Sequence, residues 1–183
     1  MAILIGLTGT NAAGKGTVAE YLKTKGFGYF SLSDILRDIA KERGEEESRV
    51  VLVGIGNELR QKHGAGALAL MTLKKIKAKG IEKAVIDSIR NPMEIEELRK
   101  AKGFVLIGVD ADIKLRFERS KSRGRAENAS TLEEFKAQED KEKSADPNAQ
   151  QLHKCMDMAD YKLENNKTIK ELYKRADSLA FFR

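Results

Sequence analysis

A chain of 183 residues, 41% hydrophobic and 34% charged, carries enough apolar material for one domain with a core and too much for a disordered chain. Its net charge of +6 suits anionic partners, but the charges are scattered, and the 6% of aromatic residues are not interleaved with basic ones. Nucleic acid is therefore not an expected partner, and small anionic molecules are.

In chain order, Ile3 to Leu7 reads as a short buried strand and leads into Gly9-x-x-x-x-Gly14-Lys15, followed by Gly16 and Thr17. From Thr17 the spacing of Val18, Ala19 and Leu22 predicts a helix. Tyr29-Phe30 predicts a very short second strand, and Ser31-Leu32-Ser33-Asp34 matches a helix start. That helix ends near Gly44, past which Glu45-Glu46-Glu47 reads as a solvated helix start. Ser48 to Lys62 has helical spacing despite Gly54 and Gly56, each costing ~1 kcal/mol of local helix stability. The third glycine of a dinucleotide fingerprint is missing there, and no strand precedes it. A helix over Ala67 to Lys79 stops at Gly80. Ala84 to Asp87 predicts a strand that ends in a carboxylate, and Asn91-Pro92-x-Glu94 opens the next helix.

Phe104 to Val109 is the most regular apolar strand, and it runs into Asp110-Ala111-Asp112 and an arginine-rich helix. Asp112 reads as the cap of that helix. Thr131 opens a charged helix, Pro147 separates it from a helix over Ala149–Ala159, Tyr161 to Glu164 reads as the last strand, and Thr168 to Ala180 closes the chain. Cys155 is the single cysteine, so no intrachain disulfide forms, and it reads as a packed thiol. His63 and His153 lack metal-ligand spacing and read as surface or helix-end residues. The first apolar run is too short for a signal peptide, and no apolar stretch nears the ~18 residues of a membrane span, so the cytoplasm is the expected compartment and no membrane the expected partner.

Strand, Gly-rich loop and helix together are the context of a phosphate-binding P-loop, Gly9, Thr10, Asn11, Ala12, Ala13, Gly14, Lys15, Gly16 and Thr17. Glycines let backbone N–H groups turn inward around an anion, and the helix adds unpaired N–H donors and the positive end of its dipole. Lys15 supplies a mobile charge for the outer phosphates. One departure stands out: the usual pattern has Ser or Thr directly after the lysine to hold Mg2+, whereas here Gly16 takes that place and the hydroxyl follows at Thr17. Alternation of strands and helices predicts a parallel sheet covered on both faces, with ligands at the carboxyl ends of its strands. That edge gathers the P-loop, Asp34, Asp87 with Arg90, and Asp110.

Gly9-Thr10-Asn11-Ala12-Ala13-Gly14-Lys15-Gly16-Thr17, Ser33-Asp34-Ile35-Leu36-Arg37 and Asp87-Ser88-Ile89-Arg90 together resemble the P-loop nucleoside monophosphate kinase group, which includes adenylate kinases and dephospho-coenzyme A kinases. The first is similar to the Gly-x-Pro-Gly-Ala-Gly-Lys-Gly-Thr loop of adenylate kinases, the second to their Gly-Asp-x-Leu-Arg segment, and the third to Asp-Gly-Phe-Pro-Arg. The arginine-rich helix and Asp160-Tyr-Lys-Leu-Glu-Asn165 also fit the group, so the resemblance spans nearly the whole chain. It implies a three-layer α/β P-loop kinase fold with a five-stranded parallel sheet, in one domain over 1–183, with an acceptor-binding insertion at about 33–66 and a lid at about 119–130. It implies ATP and Mg2+ as cofactors and a small phosphate-bearing acceptor.

The chemistry asks for positioning and charge neutralisation rather than covalent help. Lys15, Asp34, Asp87 and Arg119 are the candidate catalytic residues. Arg116 and Arg119 join the P-loop on the ATP side, and Thr17 and Asp87 are the Mg2+ candidates, partly through water. Asp34, Arg37, Arg60, Arg90, Arg123 and Arg125 are the acceptor-side candidates, the arginines because their planar forks suit phosphate. Other readings stay open. Asp34 is either a helix cap or an acceptor carboxylate, Arg37 and Arg60 are either ligands or solvated helix residues, and about two of the four lid arginines are expected to act. Leu32 stands where adenylate kinases carry a threonine, and Asp87-Ser88-Ile89-Arg90 lacks the family's proline, so the reaction type is better specified than the acceptor. An ATP-binding regulatory module is the reading from another class. Monomer and homodimer are both compatible with the sequence.

Overall fold

A computed structural model describes residues 2–122, 129–141, 146 and 149–179. Its elements are β1 (Ile3–Gly9), α1 (Lys15–Thr24), β2 (Gly28–Ser31), α2 (Leu32–Glu42), α3 (Arg49–His63), α4 (Ala67–Ala78), β3 (Lys83–Asp87), α5 (Pro92–Arg99), β4 (Phe104–Asp110), α6 (Ile113–Ser122), α7 (Leu132–Lys141), α8 (Leu152–Asp157), β5 (Tyr161–Glu164) and α9 (Ile169–Asp177). The five strands form one parallel sheet in the order β2-β3-β1-β4-β5. The expected strands are all present, each of the first two longer than its apolar run suggested. Glu45 to Glu47 lie exposed ahead of α3 rather than inside its first turn, and α8 is shorter than the span from Ala149 to Ala159. Arg123 and Arg125, half of the expected lid, and the expected end of α9 at Ala180 lie outside the described residues.

Alternation along the strands explains the layers. Ile5 and Leu7 of β1, Val85 of β3, Ile107 and Val109 of β4 and Leu163 of β5 point to one face, where Val18, Ala19 and Leu22 of α1 and Leu172 and Ala176 of α9 cover them. Leu4, Ala84, Ile86 and Leu106 point to the other, under α2 to α5 and α8. Side chains on both faces are apolar because a parallel sheet built from crossover helices is buried on both sides. Each fully buried Leu, Ile or Val contributes about 1.5–3 kcal/mol relative to an exposed position. α1 and α9 are also joined by stacked Tyr21 and Tyr173 rings, 4.1 Å apart, and by the Tyr21 hydroxyl donating to Asp177 at 2.5 Å. Cys155 is fully buried beneath β1, and burial pushes its thiol up to about 12, so it is a neutral, packed side chain. His63 and His153 are exposed at the end of α3 and in α8.

One buried charge pair interrupts the apolar layer. Arg60 of α3 is 5% exposed and Glu94 of α5 is 0% exposed, and Arg60 Nη2 donates to Glu94 Oε1 at 3.0 Å. Glu94 Oε2 accepts from the backbone N–H of Arg90 at 2.9 Å and of Asn91 at 3.1 Å, completing the capping box of α5. Burial raises the Glu94 carboxyl, and the guanidinium and the two N–H groups oppose that rise. The reading of Arg60 as a solvated helix residue is therefore corrected. No acidic residue stands three or four positions from it in α3, and its partner lies 34 positions away.

Removing one partner leaves the other charged and buried. Glu94→Ala should lower unfolding free energy by about 3–5 kcal/mol, while Arg60→Met combined with Glu94→Leu should cost much less. Denaturant titration of the three proteins checks this; an equal loss in the double variant would show that the charge pair is not the cause.

Candidate functional site

Because all strands run the same way, their carboxyl ends gather Gly9, Ser31, Asp87, Asp110 and Glu164 on one edge. The P-loop leaves that edge between β1 and α1. Its backbone leaves ordinary space repeatedly: Gly9 has φ +143°, Ala12 φ +57° and Gly14 φ +109°. A Cβ on Gly9 would lie 2.0 Å from the carbonyl oxygen of Val109, so the loop can leave the sheet only through glycine. Gly14 takes the N-cap place of α1 in left-handed conformation, offers no side-chain cap, and no acidic residue stands in the first turn. Helices α5 and α9, by contrast, begin with complete capping boxes. α1 thus leaves its positive end without a side-chain cap, as α4 also does, and α1 alone of the two enters through a left-handed glycine.

Other residues hold this loop in shape. Lys15 Nζ donates to the carbonyls of Gly9 at 2.7 Å and Thr10 at 2.8 Å. The Thr10 hydroxyl donates to Asp110 Oδ1 at 2.6 Å, and the same oxygen accepts from the Ala111 N–H at 2.8 Å. Asp110 therefore belongs to the loop's support. Asp112, whose Oδ1 accepts from the Lys114 N–H at 2.9 Å, serves the start of α6 as expected. Arg116 is buried: Nε donates to the Ala111 carbonyl at 2.8 Å, Nη1 reaches the Asn11 carbonyl at 3.4 Å, and Nη1 also pairs with Glu139 of α7. Arg119 Nη2 donates to the Asn165 carbonyl at 2.9 Å, while its Nη1 is buried without a partner among the described residues. Asn11 is exposed, Ala12 and Ala13 are buried, and Gly16 is exposed in the first turn of α1. Sequence placed Asp110 on the ligand edge without a role and Asn165 only within a segment that fits the kinase group; the signal available for each was a polar side chain at the end of a strand.

On the other side of β1, Asp87 ends β3 and is 9% exposed. Its Oδ2 accepts from the Tyr29 hydroxyl at 3.0 Å and its Oδ1 from the Ser88 N–H at 2.6 Å. Burial and the Asp87 charge push the Tyr29 phenol up, so it stays a donor. Ser88 has φ +65°, left-handed space that the glycine of the Asp-Gly-Phe-Pro-Arg segment would enter freely, and its Oγ accepts from Ser31 Oγ at 3.0 Å. Asp34 is in the first turn of α2 but does not cap it; Ser31 does, accepting from the Ser33 N–H at 3.2 Å. Asp34 instead pairs with Arg37 at 3.0 Å, and Arg37 also meets Glu47 at 3.5 Å. Arg90 Nη1 donates to Gln150 at 3.0 Å, and Arg60 points to Glu94. A cleft of about 110 Å3, open to solvent, lies beside Asp34 and is lined by Tyr29, Ser31, Thr72 and Lys75.

Thr17 and Asp87 offer hard oxygen donors of the kind Mg2+ takes. Among the described residues no group of three or more His, Cys, Asp or Glu could hold a metal ion. A metal here would therefore draw its remaining ligands from phosphate and water, which Mg2+ does readily. No helix among the described residues is long and apolar enough to cross a membrane.

Residues 5–143 match an AAA domain. A UPF0200 protein of Pyrococcus horikoshii is 31% identical over 97% of this chain and 95% of its own length. Among solved structures, a shikimate kinase from Acinetobacter baumannii in complex with shikimate superposes with a TM-score of 0.58 at 15% identity, over 96% of this chain and 91% of that one. An unliganded sugar kinase from Janibacter sp. superposes at 0.55 with 14% identity, over 97% and 94%. At these identities the likeness is one of fold, and the fold is that of P-loop kinases.

The loop geometry yields a test of its own. Gly14→Ala should cost about 1–3 kcal/mol of stability, because φ +109° is strained for alanine and its Cβ would lie 2.3 Å from Asn165 Nδ2. Gly16→Ala, whose Cβ meets nothing within 4 Å, should be neutral or stabilising by up to about 1 kcal/mol. Thermal unfolding separates the two, and equal effects would remove close approach as the constraint.

Proposed function

The chain belongs to the UPF0200 family and carries an AAA domain, and from the site around its P-loop we propose that it is an ATP- and Mg2+-dependent phosphotransferase. In this reading it moves the γ-phosphoryl of ATP to a small phosphate-bearing acceptor, with a nucleoside or deoxynucleoside monophosphate first among them. Dephospho-coenzyme A is the second acceptor within the class. The observation that carries the reading is the uncapped, left-handed entry to α1 with Lys15 beside it. ATP with Mg2+ supplies the phosphoryl group and part of the charge neutralisation. Lys15 exchanges the Gly9 and Thr10 carbonyls for phosphate oxygens, and the N–H groups of Gly14 to Thr17 hold the same anion. Asp87, steadied by Tyr29 and Ser88, would order the water shell of the metal. Asp34 orients the acceptor once Arg37 turns from it to the acceptor's phosphate, and Arg90 adds a second fork. Arg116 stiffens the loop through Asn11 while Arg119 addresses the donor.

The kinase likeness of the superposed structures supports this reaction class. A second reading, an ATP-binding regulatory module without small-molecule transfer, is favoured by one observation. Arg37, Arg60 and Arg116 are all paired with carboxylates of the protein itself. Measuring ADP formation with Mg2+, with and without a panel of nucleoside monophosphates and dephospho-coenzyme A, decides between them. Acceptor-dependent ADP supports transfer; ATP binding with no acceptor-stimulated turnover supports the module.

Lys15→Ala should reduce acceptor-dependent ADP formation by about 10²–10³ without loss of fold, the scale for removing one charge-stabilising donor. Near-normal turnover in a folded Lys15→Ala protein would remove the P-loop from catalysis. Asp87→Asn should lose activity that rises again with added Mg2+, because the charge that orders the ion's waters is gone while the shape remains. Asp34→Asn should not respond to Mg2+. A steady-state Mg2+ titration of both variants reads this, and the opposite pattern would exchange the roles of the two carboxylates.

A further inference from the structure

Asn165, the first residue after β5, joins three parts of the site. It is 7% exposed. Its N–H donates to the Asp110 carbonyl at 2.7 Å, its carbonyl accepts from Arg119 Nη2 at 2.9 Å, and its side-chain Nδ2 donates to the Ala13 carbonyl at 2.8 Å. The orientation of the amide is fixed by chemistry: a backbone carbonyl only accepts, so the side-chain atom facing it is the NH2 group. The fit is close enough that Gly14 has no room for a Cβ on that side.

The consequence follows from the planar trans peptide. Across the Ala13–Gly14 bond the C=O and the N–H point in opposite directions, and no peptide among the described residues is cis. Holding the Ala13 oxygen toward Asn165 aims the Gly14 N–H away from β5. We propose that Asn165 is a positioning residue of the phosphate site, which presents the Gly14 N–H to the bound anion by clamping the other end of the same peptide. The hold is specific to the phosphate chain, whatever base or acceptor accompanies it. Through its own carbonyl Asn165 also places Arg119, so the loop and the first arginine of the lid are held from one residue. This inference rests on the phosphotransferase reading, and its test separates the two.

The probes are Mg2+·ADP and inorganic tripolyphosphate, which has no base or sugar, with binding followed by calorimetry. Asn165→Asp keeps the size but sets a carboxylate against the Ala13 carbonyl. Its affinity for both probes should fall by the same factor, about tenfold or more, the scale of one lost hydrogen bond to a charged group. AMP at the acceptor side should keep its affinity. A merely structural role predicts lower thermal stability with both affinities unchanged, and that result overturns the inference. If the wild-type protein binds neither probe, the phosphotransferase reading fails and the inference fails with it. A measurement on the wild type stands if the variant does not fold. The Gly14 amide proton should move downfield when tripolyphosphate is added to 15N-labelled protein, and an unmoved Gly14 resonance in a protein that binds the probe overturns the clamp.

Discussion

Everything at this site depends on a stretch of backbone that turns its donors outward with no protein acceptor supplied by a cap. An α-helix leaves its first N–H groups unsatisfied, and several helices among the described residues answer with an N-cap side chain: Ser31, Ser48, Asn91 and Thr168 all accept from their own first turns. α1 does not. Its entry passes through Gly9, Ala12 and Gly14 at positive φ, a conformation that costs energy at Ala12 and that exists only because the surroundings over-determine it. Thr10 bound to Asp110, Asn165 bound to Ala13 and Arg116 near Asn11 are those surroundings. An anion would satisfy the exposed donors and the dipole at once.

The supports come from distant parts of the chain, and the parallel sheet is what brings them together. β4 and β5 lie on one side of β1, and their ends deliver Asp110 and Asn165 to the loop. β3 and β2 lie on the other side and deliver Asp87 and Tyr29. The buried Arg60–Glu94 pair adds a mechanical link on that side. Glu94 holds the Arg90 backbone while Arg60 ties it to α3, so α3 and the Arg90 segment are joined through one carboxylate. A pair of this kind contributes little net stability against an apolar replacement of similar volume.

The resting pairing of arginines is consistent with a site that must rearrange. Arg37 meets Asp34 and Glu47 at exposed positions, where such pairs are worth roughly 0–1 kcal/mol and yield readily to a phosphate. Arg60 and Arg116 are buried, and exchange of their partners would require larger movement. The two groups of arginine are chemically alike and differ in what it costs to release them.

Local sequence determined the P-loop, the five strands and the caps of α5 and α9, because each rests on neighbours in the chain: glycine spacing, apolar alternation, and Asn91 or Thr168 with a glutamate three residues on. It also identified Cys155 as packed and Asp112 as the helix start. Tertiary structure alone decided the partners of the charged residues. Arg60 finds Glu94, Asp110 finds Thr10, and Asn165 finds Ala13 across 34, 100 and 152 positions, and no periodicity encodes such pairings. Hydrophobic patterning specifies which face of an element is buried, whereas the register of parallel strands specifies which ends meet. A polar side chain acquires its role from the groups it meets there.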